Sequence, residues 1–292
     1  MRRSMLFLPG NTPNIIVNAE ILGADAVILD LEDAVAPAEK DSARILVRSA
    51  ISRMGFGKCE VIVRINSTDT DDWRKDLDAI LPVKPNLIMP PKTGSAEDVL
   101  RVDAYMSEIE EKLSLPERSV GLIPLIETAR GVENAYAIAS ACPRVKAIFL
   151  GGEDLTADLH CKRTKGGEEI RYARSRMVMA ARAAGVEVYD TPFTDVNDDE
   201  GIYDDARYAK SLGFTGKSCI SPRHVKAVNE VFSPTKADVD YAYEVMEAIR
   251  IGKEQGKGAV SLHGKMIDAP IVARAQQTLE AAEALGMGRS VK

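Results

Sequence analysis

Short apolar runs alternate along the chain with longer stretches in which apolar residues recur every three or four positions. The runs lie at 4–9, 26–32, 60–66, 86–91, 120–127, 145–152, 187–193 and 217–220. Helical periodicity follows each of them, at 13–22, 39–54, 72–81, 95–113, 132–140, 168–184, 200–212 and 223–231. Runs such as Ala26-Val27-Ile28-Leu29 and Ala147-Ile148-Phe149-Leu150 are apolar at every position, not at alternate ones. A strand reads this way when both faces are buried, as in a parallel sheet covered by helices. Eight such units in succession predict an α/β fold of the (β/α)8 TIM barrel type. A doubly wound open sheet is the alternative. It would carry a glycine-rich loop after the first strand, and Pro9-Gly10-Asn11-Thr12-Pro13 lacks the G-x-G-x-x-G spacing.

Beyond Pro234 the pattern changes. A helix is expected at 237–252 with no strand ahead of it, then a Gly/Lys-rich stretch at 252–258, an apolar segment at 260–268, and a last helix at 270–285. This tail is too short to stand as a domain. The expected organisation is a barrel over 1–232 and a C-terminal helical extension over 233–292, an appendage packed on the barrel or on a neighbour.

Barrel enzymes work at the C-terminal ends of their strands, and that rule filters the polar residues. The second run ends in Asp30-Leu31-Glu32-Asp33, the third reaches Arg64, the fourth ends in Pro90-Pro91-Lys92, the fifth in Glu127, and the sixth leads into Glu153-Asp154. Glu127 and Asp154 come from neighbouring strands, and converging carboxylates repel unless a positive charge sits among them. With hard oxygens and no suitable His or Cys at hand, that charge is expected to be Mg2+, with Mn2+ as a substitute. Helix capping is the plainer role for either acid. The planar fork of Arg64 suits a substrate carboxylate, and an ion pair with Glu32 or Asp33 is compatible with that role. A cation beside an arginine is the apparatus for aldol or Claisen chemistry on a 2-keto acid. A Schiff base on Lys92 is not needed.

Composition narrows the classes. The chain has 292 residues, a net charge of −6 and interspersed signs, which argues against nucleic-acid binding. No apolar run approaches the ~20 residues of a membrane span. The apolar start stops at Pro9, short of a signal peptide, so a cytoplasmic protein is expected. Cys59, Cys142, Cys161 and Cys219 form no C-x-x-C pair and are expected as reduced thiols without a zinc site. Gly216-Lys217-Ser218 lacks the earlier glycine of a P-loop, and Asp195-Val196-Asn197-Asp198-Asp199-Glu200 lacks the turn glycine of a calcium loop. Asn66-Ser67-Thr68 is a formal sequon without a secretory context. His160, His224 and His263 are scattered, and solvated or helix-end positions are expected for them.

Taken in order, Arg2-Arg3-Ser4-Met5-Leu6-Phe7-Leu8-Pro9-Gly10, Asp30-Leu31-Glu32-Asp33-Ala34-Val35, Lys40-Asp41-Ser42-Ala43-Arg44, Arg64-Ile65-Asn66, Pro124-Leu125-Ile126-Glu127, Gly151-Gly152-Glu153-Asp154-Leu155, Gly213-Phe214-Thr215-Gly216-Lys217-Ser218 and Gly264-Lys265-Met266-Ile267-Asp268 resemble the citrate lyase β-subunit (citryl-CoA lyase) family. The likeness spans essentially the whole chain. It implies a lyase that splits a citryl thioester, carried on CoA or an acyl-carrier protein, into oxaloacetate and an acetyl thioester. It implies that Glu127 and Asp154 bind Mg2+, that Glu32 and Asp33 orient water on the metal, and that Arg64 holds the keto-acid carboxylate. It further implies that Asp268 moves the proton at the acetyl carbon, and that Arg2, Arg3 and Lys92 assist the thioester carrier. A homotrimer of catalytic barrels in which the C-terminal helical lid extension serves an adjacent subunit's site is implied, with transferase and acyl-carrier subunits as partners. The alternatives are a citramalyl-CoA or malyl-CoA lyase of the same family, or a non-catalytic assembly subunit. A phosphoenolpyruvate-using barrel would leave Gly264-Lys265-Met266-Ile267-Asp268 unexplained.

Overall fold

The alternation of apolar runs and helices is realised as a parallel sheet wrapped by helices. The computed structural model describes residues 1–256 and 260–288. It divides into two compact units, residues 2–230 and the chain from 231 onward.

The first unit holds strands β1 Ser4–Pro9, β2 Ala26–Asp30, β3 Glu60–Arg64, β4 Leu87–Met89, β5 Gly121–Leu122, β6 Leu125–Ile126, β7 Ala147–Leu150, β8 Glu187–Asp190 and β9 Gly216–Cys219. Between them run α1 Pro13–Ile16, α2 Lys40–Arg53, α3 Asp72–Ile80, α4 Ala96–Lys112, α5 Ala129–Glu133, α6 Ala135–Ala139, α7 Gly152–Asp158, α8 Arg171–Ala184 and α9 Asp199–Leu212, with α10 Pro222–Phe232 after the last strand. All strand pairs are parallel, in the order β5-β4-β3-β2-β1-β9-β8-β7-β6.

Nine segments stand where eight strands are expected, because β5 and β6 are consecutive pieces of one strand broken at Ile123-Pro124. Proline has no N–H to give to the ladder. The hydrogen bonds continue around it: Ile123 N–H donates to Ile88 O at 2.9 Å on one side, and Phe149 N–H to Pro124 O at 3.0 Å on the other. Leu122, paired with Ile88, also bridges Val145. Both edges of the sheet therefore meet in one strand, as in a TIM-type barrel.

Side chains alternate across the strands. The inward positions Met5, Ile28, Ile62, Met89, Leu125, Phe149 and Tyr189 pack into one buried cluster. The outward positions, among them Leu6, Val27, Val63 and Ile148, are equally buried under the helices. Two buried faces explain the unbroken apolar runs. The helices depart from expectation mainly at their ends. The sixth run stops at Leu150, because Gly151 N-caps the short, unexpected α7. The stretch 132–140 lies across two pieces that meet at Asn134.

The second unit contains α11 Lys236–Glu254, an antiparallel hairpin of β10 Val260–Leu262 and β11 Lys265–Ile267, and α12 Ala269–Ala284. The hairpin turns at His263 (φ 49°) and Gly264 (φ 76°), the two positive φ values that suit the right-handed twist of paired strands. Ala242, Val245, Ile267 and Ala275 form its small core. Residues 257–259 of the Gly/Lys-rich stretch lie outside the described residues. No helix among the described residues is long and apolar enough to cross a membrane.

Candidate active site

Moving one inward position further along the strands turns the apolar cluster into a polar layer. Ile28 is followed by Asp30, Ile62 by Arg64, Leu125 by Glu127, Phe149 by Gly151 and Tyr189 by Thr191. Asp30, Arg64, Glu127, Gly151 and Thr191, together with Phe7, Pro9, Asp33, Asp154 and Ile220, line a cavity of about 480 Å3 at the C-terminal ends of the strands.

Arg64 and Asp30 sit opposite each other in the β2–β3 register. The guanidinium forks onto Asp30, Nε to Oδ1 at 2.7 Å and Nη2 to Oδ2 at 2.5 Å. Nη1 lies 2.8 Å from Glu32 Oε2 and 3.7 Å from Asp33 Oδ2, and the group rests over the Phe7 ring. Burial works against its charge, but Asp30 and then Glu32 and Glu127 outweigh it and raise its pKa. A guanidinium carries five N–H donors, so the fork leaves others for a ligand. Asp30 also accepts from the backbone N–H groups of Glu32 and Ala34, which shapes the loop carrying the next two acids. Lys40 supports that loop by donating to Leu31 O and Glu32 O.

Glu32 is buried and bridges two cations: Arg64, and Lys92, whose Nζ is 2.7 Å from Oε1. Burial raises its pKa despite both partners. Asp33 is exposed at the rim, 3.6 Å from Lys92 Nζ. Lys92 is raised by Glu32 against the opposing effect of burial.

Glu127 is 3% exposed and accepts Lys92 N–H on Oε1 at 2.8 Å. Burial first, and the Asp154 charge second, push its pKa well above the usual carboxylate range. It does not cap a helix, because Thr128 caps α5. Asp154 lies half-buried in the first turn of α7, where the positive end of a helix dipole favours a carboxylate. Gly151 fits here because a Cβ would stand 2.5 Å from Glu127 Oε2.

A buried acid raised by a second acid, with carboxylates rather than His or Cys beside it, is chemically suited to a divalent cation. No group of three or more His, Cys, Asp or Glu among the described residues is arranged to hold a metal ion. Glu127 and Asp154 would thus be completed by water and ligand oxygens, which is the habit of Mg2+.

The structure gathers Glu32, Asp33, Arg64, Lys92, Glu127 and Asp154 at one mouth. Arg2 and Arg3 it places before β1, at the opposite ends of the strands. Arg2 pairs with Glu60 at 2.6 Å and reaches Tyr189 Oη, and Arg3 pairs with Asp25 at 2.7 Å. The carrier role expected for these two arginines is therefore corrected: they tie the N-terminal ends of β1, β2 and β3 together. Asp268 belongs to the second unit, where Oδ1 caps α12 by accepting Ile271 N–H at 3.1 Å. His224 stands at a helix end as expected, in the first turn of α10, but it is fully buried and not in solvent. Asp30 is the partner that the sequence pattern does not single out; its signal is its equivalent place on the strand next to Arg64.

Comparison with known proteins agrees with this geometry. Residues 3–222 match the model of the HpcH/HpaI aldolase/citrate lyase family. The citrate lyase subunit beta of Leuconostoc mesenteroides subsp. cremoris is 40% identical over 97% of this chain and 94% of its own. That of Haemophilus influenzae is 41% identical over 97% of each. The crystal structure of CitE from Mycobacterium tuberculosis in complex with magnesium, acetoacetate and coenzyme A aligns over 97% of this chain and 98% of that one, with a TM-score of 0.77 and 31% identity. With a mouth of paired acids and a forked arginine on a parallel barrel-like sheet, and with relatives of this identity along nearly its full length, the chain belongs to the HpcH/HpaI aldolase/citrate lyase family.

Proposed function

We propose that the protein is a carbon–carbon lyase of the citrate lyase β-subunit type, which cleaves a citryl thioester to oxaloacetate and an acetyl thioester. The observation that carries this is the buried Glu127 beside Asp154 at the same mouth as Arg64. Glu127 and Asp154 hold Mg2+. When bound there, the ion supplies Lewis-acid polarisation of the oxygen that becomes the keto group.

Arg64, fixed by Asp30, binds the carboxylate next to that oxygen. Cleavage passes the proton of the 3-hydroxyl to water and breaks the bond between that carbon and the methylene of the thioester. The electron pair of the broken bond stays on the methylene carbon as a thioester enolate. A proton from Asp268 completes the acetyl group. Phe7, Leu125 and Phe149 beneath the polar layer keep water from the reacting atoms. The C-terminal unit serves as a lid on an adjacent subunit of a homotrimer, which brings Asp268 to the reaction. The carrier is CoA or an acyl-carrier protein, the latter alongside transferase and acyl-carrier subunits.

Glu127→Ala and Asp154→Ala are expected to abolish citryl-thioester cleavage, and EDTA to abolish it in the unaltered protein. Undiminished turnover in EDTA overturns the proposal. Citryl, citramalyl and malyl thioesters assayed side by side identify the keto acid.

A further inference from the structure

Lys92 adopts φ +50°, the left-handed region that side chains with a Cβ disfavour. Lys84, Ser114 and His160 do so just past helices, Arg118 in the turn between Pro116 and Ser119, and His263 in the hairpin turn. Lys92 does so at a cavity mouth, directly after the rigid pair Pro90-Pro91. Strained backbone at a mouth of charged groups marks a position held for a purpose.

Its two ends meet different acids. The backbone N–H donates to Glu127 Oε1 at 2.8 Å, while Nζ meets Glu32 Oε1 at 2.7 Å and Asp33 Oδ1 at 3.6 Å. The other Glu127 oxygen lies against Gly151, where a Cβ would come within 2.5 Å. The carboxylate of Glu127 is thus fixed from both sides, by an amide and by a missing side chain. Glu32 is shared between Lys92 and Arg64, at 2.7 and 2.8 Å. Without the ammonium, the charge of Glu32 would fall wholly on Arg64 and compete with a substrate carboxylate for it.

We propose that Lys92 is a positioning residue with two separable tasks: its left-handed amide orients Glu127 for the divalent cation, and its ammonium draws Glu32 away from Arg64 so that the guanidinium can take the keto acid. This replaces the carrier-binding role suggested by family resemblance, and it rests on Glu127 and Asp154 holding Mg2+.

The two tasks come apart under substitution. Lys92→Asn and Lys92→Gly remove the ammonium but tolerate positive φ. Lys92→Val removes the ammonium and resists positive φ, because its Cβ is branched. Calorimetric titration of Mg2+ into EDTA-stripped protein, followed by oxaloacetate into the Mg2+-loaded form, reads each task separately. Lys92→Asn and Lys92→Gly should keep the Mg2+ affinity of the unaltered protein and bind oxaloacetate more weakly. Lys92→Val should lose about ten- to a hundredfold in Mg2+ affinity, the usual penalty for removing a partner that orients a metal ligand.

Should Lys92→Val not fold, the lysine amide itself is followed after selective 15N-lysine labelling. Slow hydrogen exchange, and a shift of the resonance in Glu127→Gln, are expected; fast exchange with no shift overturns the proposal. Equal Mg2+ affinity in folded Lys92→Val and Lys92→Asn overturns this inference alone. An unaltered protein that takes up no Mg2+ overturns the magnesium reading and this inference together.

Discussion

Arg64 shows how much of a site a single position can reveal. An arginine at the end of an otherwise apolar strand pointed to the barrel mouth, and it lines the cavity there. Its neighbours were legible only in part. Glu32 and Asp33 are the partners expected from sequence, yet the closest grip comes from Asp30, because register between strands is a tertiary fact. Arg2 and Arg3 misled for a related reason: a motif says that residues travel together, not at which end of a barrel they stand. His224 was hidden because a lone histidine carries no periodic signal. It is buried against the Phe193 ring at 6.0 Å, and burial lowers its pKa below the ordinary 6.5, opposed by Asp199 and aided by Lys217 and Arg223. A histidine harder to protonate in the fold than in the unfolded chain contributes stability above about pH 6.5, and that contribution is lost as the pH falls toward its depressed value. Thermal unfolding should therefore show a decline from pH 7.5 to pH 5.5 that is shallower in His224→Leu.

At the scale of elements, buried charge binds helices to strands. Lys217 on β9, fully buried, lies 2.6 Å from Asp190 of β8 and 2.6 Å from Asp205 of α9. Arg174 of α8 pairs with the same two acids at 2.9 and 2.7 Å. The apparent P-loop ending at Gly216-Lys217-Ser218 is thus a structural ion cluster. Lys217→Met would leave two buried acids to one arginine, and a loss of roughly 3–5 kcal/mol in urea unfolding is expected. Asp268 raises a different question, since it starts α12 as well as being the proposed proton donor. Asparagine caps about as well as aspartate, whereas alanine costs about 1 kcal/mol. Asp268→Asn should unfold at nearly the urea midpoint of the unaltered protein while losing turnover, and Asp268→Ala should lose both. An Asp268→Asn variant of full activity would restrict this residue to capping. The helices themselves were largely legible from periodicity, but the break at Ile123-Pro124 and the short α7 were not. An apolar run records burial, and hydrogen-bond interruptions leave it unchanged.

At the scale of the whole molecule, the parallel barrel-like sheet followed from counting eight apolar runs. The place of the C-terminal unit could not follow, since its apolar surface can be satisfied within one chain or between chains. The proposed exchange of lids is open to a mixing experiment. Glu127→Ala lacks a proposed metal ligand and Asp268→Asn lacks the proposed proton donor, so each alone should be inactive. Refolded together, they should regain a fraction of the original turnover if the lid of one subunit serves the cavity of another. A mixture as inactive as its parents would place donor and metal ligands in the same chain.

The layering of the barrel interior has a consequence for how such a protein can change. Each strand gives its last inward position to the mouth, as Arg64, Glu127, Thr191 and Ile220 illustrate, while Ile62, Leu125 and Tyr189 lie one step below. The working deck is therefore nearly separate from the hull beneath it. Exchanging Ile220, exposed at the mouth, for a larger or smaller neighbour should retune which acid fits without disturbing what keeps the vessel afloat, so new substrates are within reach of single steps.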